Sequence, residues 1–211
     1  VMGRQFGESS DIAVNVITQF IRLYQVSEAA QKEIATKLEN LDAEFQVNYD
    51  YNPIHHIEGR MKEPKSLIEK LSRKHIDRSI EGIKNNVFDI AGLRVITNYI
   101  DDIYTIEKLL SQQTDVTIIK RKDYIANPKK SGYRSLHLVV KVPVFLSTGP
   151  EETAVEVQIR TVGMEMWASL EHKLKYKNAS DKIEQFSEEL IHYSEELNNI
   201  ERHLELIHQQ L

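Results

Sequence analysis

Glu156, Gln158 and Arg160 alternate along Thr153–Thr161 with Val155, Val157 and Ile159 between them. A period of two puts the acid, the amide and the cation on one face of a strand and the apolar residues on the other. Threonines or lysines would serve a solvated hairpin, so this trio suits the floor of a polar pocket. Asp89 precedes a second β-branched run, Ala91-Gly-Leu-Arg94-Val-Ile-Thr97, with a cation inside it. Each acid taken singly also fits a structural role. Together, two carboxylates at strand ends can hold a divalent metal through oxygen ligands.

Two groups of cations accompany these acids. Arg60, Lys62, Lys65, Ser66 and Lys70 surround Pro64, a natural first residue for a helix. In that helix Ser66 and Lys70 are i and i+4, and its N-terminus becomes an anion site. The second group is Lys120, Arg121, Lys122, Lys129, Lys130 and Arg134, opposed between residues 117 and 137 only by Asp123. Gly132 allows a tight turn there, Tyr133 offers a face for a nucleobase, and the cations offer donors to phosphate. No GxxxxGK[ST] and no GxGxxG occurs, so nucleotide would be held without a P-loop. The same stripe of lysines and tyrosines would suit single-stranded RNA, a regulator or an alternative ligand. Asp89 and Glu156 weigh against a pure RNA binder, because carboxylates in the groove repel phosphate. His55-His56 has no third ligand at suitable spacing and is assigned to the surface or to packing.

The elements that would position these residues follow from periodicity. Ile12, Val16, Phe20 and Leu23 share a helical face. A second helix is predicted after Ser27, carrying Ala30, Ile34, Leu38, Leu41 and Phe45 to a stop at Asn52-Pro53. Extended chain over 54–61, helices from Pro64 and near 79–86, a strand over 91–97 and a helix from Asp101 come next. Strands over 116–119, 136–145 and 153–161 follow, the last two joined by a loop over 146–152. Strands separated by helices and then a hairpin predict a mixed sheet in an α/β or α+β domain, of which α+β is the class adopted. Ile183, Phe186, Leu190, Tyr193, Leu197, Ile200, Leu204, Ile207 and Leu211 form a heptad seam, packed either against a second copy or against its own domain. The division expected is a helical extension over 1–50, a catalytic domain over 51–177 and an oligomerising helix over 178–211.

Composition bounds the remaining choices. With 41% hydrophobic and 28% charged residues, the composition argues against global disorder and against a membrane protein. No apolar run reaches the roughly 20 residues that span a bilayer, and the first ten residues lack the apolar stretch of a signal peptide. The absence of cysteine excludes disulfides and thiolate chemistry and fits a cytoplasmic location. The net charge of -5 conceals a basic centre: residues 1–50 hold eight acids against four bases, and residues 181–211 eight against two. Such a centre focuses field on an anionic ligand.

Five ordered motifs carry a resemblance. Gly59-Arg-Met-Lys62 with Ser66 and Lys70, Asp89-Ile-Ala-Gly-Leu-Arg94, Lys122 through His137, Glu156-Val-Gln-Ile-Arg-Thr161, and Trp167-Ala-Ser-Leu-Glu-His172 with Lys175-Tyr176 resemble the synthetase motifs of the RelA/SpoT alarmone synthetases. The short chain and the long C-terminal helix resemble the family's small, single-domain members. The resemblance implies a nucleotidyltransferase-like mixed sheet. It implies transfer of the pyrophosphate of ATP to the 3′-hydroxyl of GDP or GTP, with GMP a third candidate acceptor. By similarity Asp89 and Glu156 are the catalytic residues and the ligands of Mg²⁺, and Arg60, Lys62, Ser66, Lys70 and Arg94 hold ATP. Tyr133, Lys122, Lys129, Arg134, His137, Gln158 and Arg160 hold the guanosine nucleotide. A homotetramer is also implied. Ser131 stands where the family often carries Asn. No His-Asp dipeptide, which the hydrolase domain of longer members needs, occurs in the sequence.

Overall fold

The computed structural model describes residues 2–177 and 186–211. Ile183 of the seam and the side chain of Ile12 lie outside that description. Among the described residues six helices, α1 (Met2–Asn48), α2 (Pro64–Arg73), α3 (Ile80–Asn86), α4 (Ile100–Ser111), α5 (Val162–Lys177) and α6 (Ser187–His208), accompany five strands. The strands are β1 (Ile54–Met61), β2 (Ala91–Thr97), β3 (Thr117–Asp123), β4 (Leu136–Leu146) and β5 (Gly149–Thr161). They form one mixed sheet in the order β1-β2-β5-β4-β3, in which only the β2–β5 pair is parallel. This is the expected α+β class with a mixed sheet.

One face of the sheet is closed. Leu136, Leu138, Val140, Val142 and Val144 of β4 and Val155, Val157 and Ile159 of β5 project into a core. Val26, Ala30, Ile34 and Leu38 of α1 and Ile103, Ile106 and Leu110 of α4 cover them. The middle of α1 therefore belongs to the sheet's own core. A smaller apolar cluster, Leu23, Leu67, Leu71, Ile83, Val87 and Ile90, seats α2 and α3 beside it. The opposite face is left to polar residues.

Three local differences from the sequence reading have physical causes. The two predicted N-terminal helices are one, because Ser27 is buried at 4% exposure within α1 and no glycine or proline interrupts the helix around it. The 146–152 loop contracts to Ser147-Thr148, since Leu146 already pairs with Gly149, whose φ of 112° suits glycine. β3 runs on to Asp123, carrying the basic segment into the sheet edge.

Most of the heptad seam faces outward rather than onto its own domain, one of the two packings expected of it. α6 docks on its own domain by a polar stripe, with Ser194, Asn198 and Glu205 buried, and leaves Tyr193, Ile200, Leu204, Ile207 and Leu211 exposed. The acids of that stripe satisfy helix N-termini, whose first N–H groups lack intrahelical partners. Glu201 accepts from Gly163 N of α5 at 3.2 Å, and Glu205 accepts from Asp101 N of α4 at 2.7 Å. At the end of the stripe the His208 ring stacks on Tyr99 at 4.4 Å. Among the described residues, no helix is long and apolar enough to cross a membrane.

Candidate active site

Register builds the site from the open face of the sheet. Glu58, Arg94, Gln158, His137 and Lys122 are successive cross-strand partners from β1 to β3. The neighbouring row is Arg60, Gly92, Glu156, Val139 and Lys120. The glycine and the valine leave space on either side of Glu156, so that its carboxylate faces two cavities. One, of about 140 Å³, is lined by Arg60, Lys62, Asp89, Gly92, Arg94, Glu156 and Gln158 among others. The other, of about 380 Å³, continues past Asp89 and Glu156 to Lys70, Lys74, Lys120, Lys122, Tyr124, Lys129 and His137.

Asp89 sits between the cations of two elements. Lys62, just after β1, donates to Oδ2 at 3.0 Å, and Lys70 of α2 donates to Oδ1 at 2.6 Å. Burial alone would raise the carboxyl's pKa, but the bonds and charges of Lys70 and Lys62 outweigh it and hold the group below its ordinary value. Gln31 of α1 fixes the adjoining backbone by donating to the carbonyls of Arg60 and Gly92, at 2.9 and 2.7 Å. A Cβ on Gly59 would come within 3.3 Å of that amide, which would have to give way.

Glu156 is held from the other side. Gln158 Nε2 donates to its Oε2 at 2.9 Å, and His137 Nδ1 stands 3.5 Å from Oε1. Burial raises this carboxyl and Asp89 adds to the rise, yet His137 and Gln158 outweigh both and keep the group ionised at neutral pH. His137 Nε2 meets the Tyr133 hydroxyl at 2.8 Å. The Lys129 ammonium lies 4.5 Å from the Tyr124 ring centre and 4.4 Å from that of Tyr133, a cation–π pairing on both.

Four predicted site residues line neither cavity. Tyr133 is one: Lys129 lies over its ring and its hydroxyl meets His137, both of which line the larger cavity. Ser66 lies one turn before Lys70 on α2 and lines neither. Arg160 is on the predicted face but only 4% exposed. Its Nη1 pairs with Glu165 of α5 at 3.0 Å, and it also donates to Gln158, so it braces the row from behind. Arg134 points the other way, donating to Ile125 O at 3.0 Å and facing Trp167, Asn198 and Glu201. Both corrections have one cause. α5 and α6 cover the end of the sheet where these arginines emerge, and local alternation carries no information about that cover.

Other residues were missed. Lys74 and Lys120 line the larger cavity and make no ion pair among the described residues. The excess of basic residues already pointed to Lys120. Lys74 follows the last residue of α2, one turn beyond Lys70, a spacing that could have placed it. Glu165, which serves both Arg160 and Arg94, and Gln31 carry no local signal.

Residues 59–181, which supply most of these groups, match the region found in RelA / SpoT proteins. The chain belongs to the RelA/SpoT family. It is 43% identical over 155 residues to the GTP pyrophosphokinase YwaC of Bacillus subtilis (strain 168), a match covering 74% of each chain. It is 36% identical over 179 residues to GTP pyrophosphokinase YjbM of the same organism, covering 81% of this chain and 83% of that one. Among solved structures, small alarmone synthetase 1 from Bacillus subtilis bound to its product pppGpp superimposes with a TM-score of 0.81 at 33% identity, over 92% of this chain and 97% of that one. Small alarmone synthetase 2 from the same organism gives 0.80 at 37% identity, over 89% and 97%. The RNA-binding alternative finds no support among these relatives.

Proposed function

We propose that this chain is a small alarmone synthetase, transferring the pyrophosphate of ATP to the 3′-hydroxyl of GDP or GTP and releasing AMP. The observation that carries the reading is the position of Glu156 between two cation-lined cavities, with Asp89 beside it. Membership of the family, and relatives named GTP pyrophosphokinase, support it independently.

The donor is assigned to Arg60, Lys62, Lys70, Lys74 and Arg94, and the acceptor to Tyr133, Lys120, Lys122, Lys129 and His137. Two polyanions repel, and these cations offset that repulsion, leaving the protein mainly positioning and charge stabilisation to do. The acceptor 3′-oxygen attacks the β-phosphorus of ATP as the bond from that phosphorus to the α–β bridging oxygen breaks. AMP takes the bridging oxygen and its electron pair. Glu156, ionised and held by Gln158, takes or orients the 3′-hydroxyl proton. Guanine stacks on Tyr133 once Lys129 turns from the ring to phosphate.

A divalent metal fits the donor set. Asp89 and Glu156 are hard oxygen ligands facing one space, and Mg²⁺ is commonly held by one or two carboxylates with the rest of its shell from phosphates and water. When bound there it would neutralise charge developing on the transferred phosphates. Nucleotide substrates of this kind fit a cytoplasmic enzyme. The exposed apolar face of α6, together with Val14, Ile17 and Ile21 of α1, favours assembly of copies, a tetramer by family resemblance. Leu204→Glu should lower the mass measured by light scattering, and an unchanged mass would count against assembly through this face.

The test is product formation. Purified protein with γ-labelled ATP and Mg²⁺ should transfer label to GDP or GTP with equal release of AMP. Absence of a labelled guanosine product with GDP, GTP and GMP alike, from folded protein, would overturn the reading.

A further inference from the structure

We infer that α6 is part of the acceptor site, with Ser194 as a positioning residue that sets the loop carrying Tyr133. The inference rests on the reading of Tyr133 as the acceptor's stacking surface. Between β3 and β4 the chain makes a tight turn: Gly132 N donates to Lys129 O at 2.8 Å, and Lys129 N to Tyr133 O at 3.1 Å. The turn places Gly132 at φ 86°, a conformation L side chains rarely adopt. The Gly132 carbonyl is taken by Ser194 Oγ of α6 at 2.5 Å, in a buried contact. A Cβ on Gly132 would lie 3.0 Å from Ser194 Cβ and 3.3 Å from Ile191 Cα, so the turn rests on the helix backbone itself.

The helix does not take its position from this loop. Trp167 Nε1 of α5 donates to Leu190 O at 3.0 Å. Glu201 and Glu205 cap α5 and α4, both attached directly to the sheet. Arg134, two residues beyond Gly132, also turns to the helix side and shares a small cavity with Trp167, Ser194 and Asn198. Position therefore passes from the sheet through α4 and α5 to α6, and from Ser194 to the residue next to Tyr133. The donor cavity meets this route only through Arg94, whose Nη1 stands 3.8 Å from Glu165 of α5, while Arg60, Lys62 and Asp89 belong to β1, β2 and their flanks.

The experiment measures both Michaelis constants, kcat and the melting temperature for Ser194→Ala, Gly132→Ala and Tyr133→Ala. Ser194→Ala should raise the acceptor KM about fivefold, the factor one net neutral hydrogen bond commands, with the ATP KM unchanged. Gly132→Ala should raise it more. An unchanged acceptor KM, or an equal rise in both constants that follows the melting temperature, would overturn the inference. If Ser194→Ala does not fold, the same split read on Gly132→Ala decides. Failure of the underlying reading is separate: it would appear as an acceptor KM insensitive to Tyr133→Ala, or as no product from the unaltered protein.

Discussion

The two halves of the site treat charge differently. On the proposed donor side three cations are already engaged: Lys62 and Lys70 share Asp89, and Arg94 stands 3.4 Å from Glu58 and 3.8 Å from Glu165, while Arg60 and Lys74 make no ion pair among the described residues. On the acceptor side Lys120 and Lys122 make no ion pair among the described residues, and Lys129 is held by aromatic rings. In the proposed reaction a donor phosphate would displace a carboxylate to reach Lys62 and Lys70, and that exchange would free Asp89 for metal. An acceptor phosphate meets cations that have no acid to give up. The difference teaches that the donor half is a set of ion pairs to be traded. The acceptor half is a shaped surface whose geometry comes from its supports.

Asp89→Asn should have the largest effect on this contrast. It removes the carboxylate that both lysines hold, and activity should fall by 10²-fold or more, a typical order for a lost catalytic charge. The substitution should also alter the acid limb of stability. The folded pKa of Asp89 lies below its ordinary value, so its contribution is present above that value and is lost as pH falls through the folded one. Melting temperature against pH should be flatter there in the variant. Retention of full turnover, or an unchanged acid limb, would break the ion-pair account of the donor half.

Tyr133→Ala comes next. Base stacking is worth about 1–3 kcal/mol, so the acceptor KM should rise roughly 5- to 150-fold while the ATP KM holds. Equal rises in both constants in steady-state kinetics would dissolve the division between halves. Lys120→Gln should have the smallest effect, a rise of a few-fold in acceptor KM that fades as added salt screens the charge. A larger effect on ATP would move Lys120 to the donor side.

Much of this arrangement was legible in the sequence, and the limits are physical. Alternation on β5 put Glu156 and Gln158 on one face because a strand's period is a local property. The same rule placed Arg160 on that face without revealing that Glu165 covers it, since the cover comes from another element. Asp89 stood out as an acid before a strand. Its sharing between Lys62 and Lys70 depends on how β1 and α2 approach β2. Ser27 has the chemistry of a cap, yet a serine also sits inside a helix when nothing stops the helix there. The heptad seam was legible as an apolar face. The choice between its two expected directions was not, because α6 is drawn to its domain by Ser194, Glu201 and Glu205 meeting backbone groups of a distant turn and two distant helix ends.

In the proposed reaction Glu156 acts where donor and acceptor meet. Glu156→Gln keeps the shape of the side chain and removes its charge. Product formation from ATP and GDP, with AMP release followed in the same reaction, tests the claim most directly. The account predicts a fall of about 10²- to 10⁴-fold in kcat, the usual worth of a positioned carboxylate base, with the melting temperature nearly unchanged. Wild-type turnover in the folded variant would contradict it.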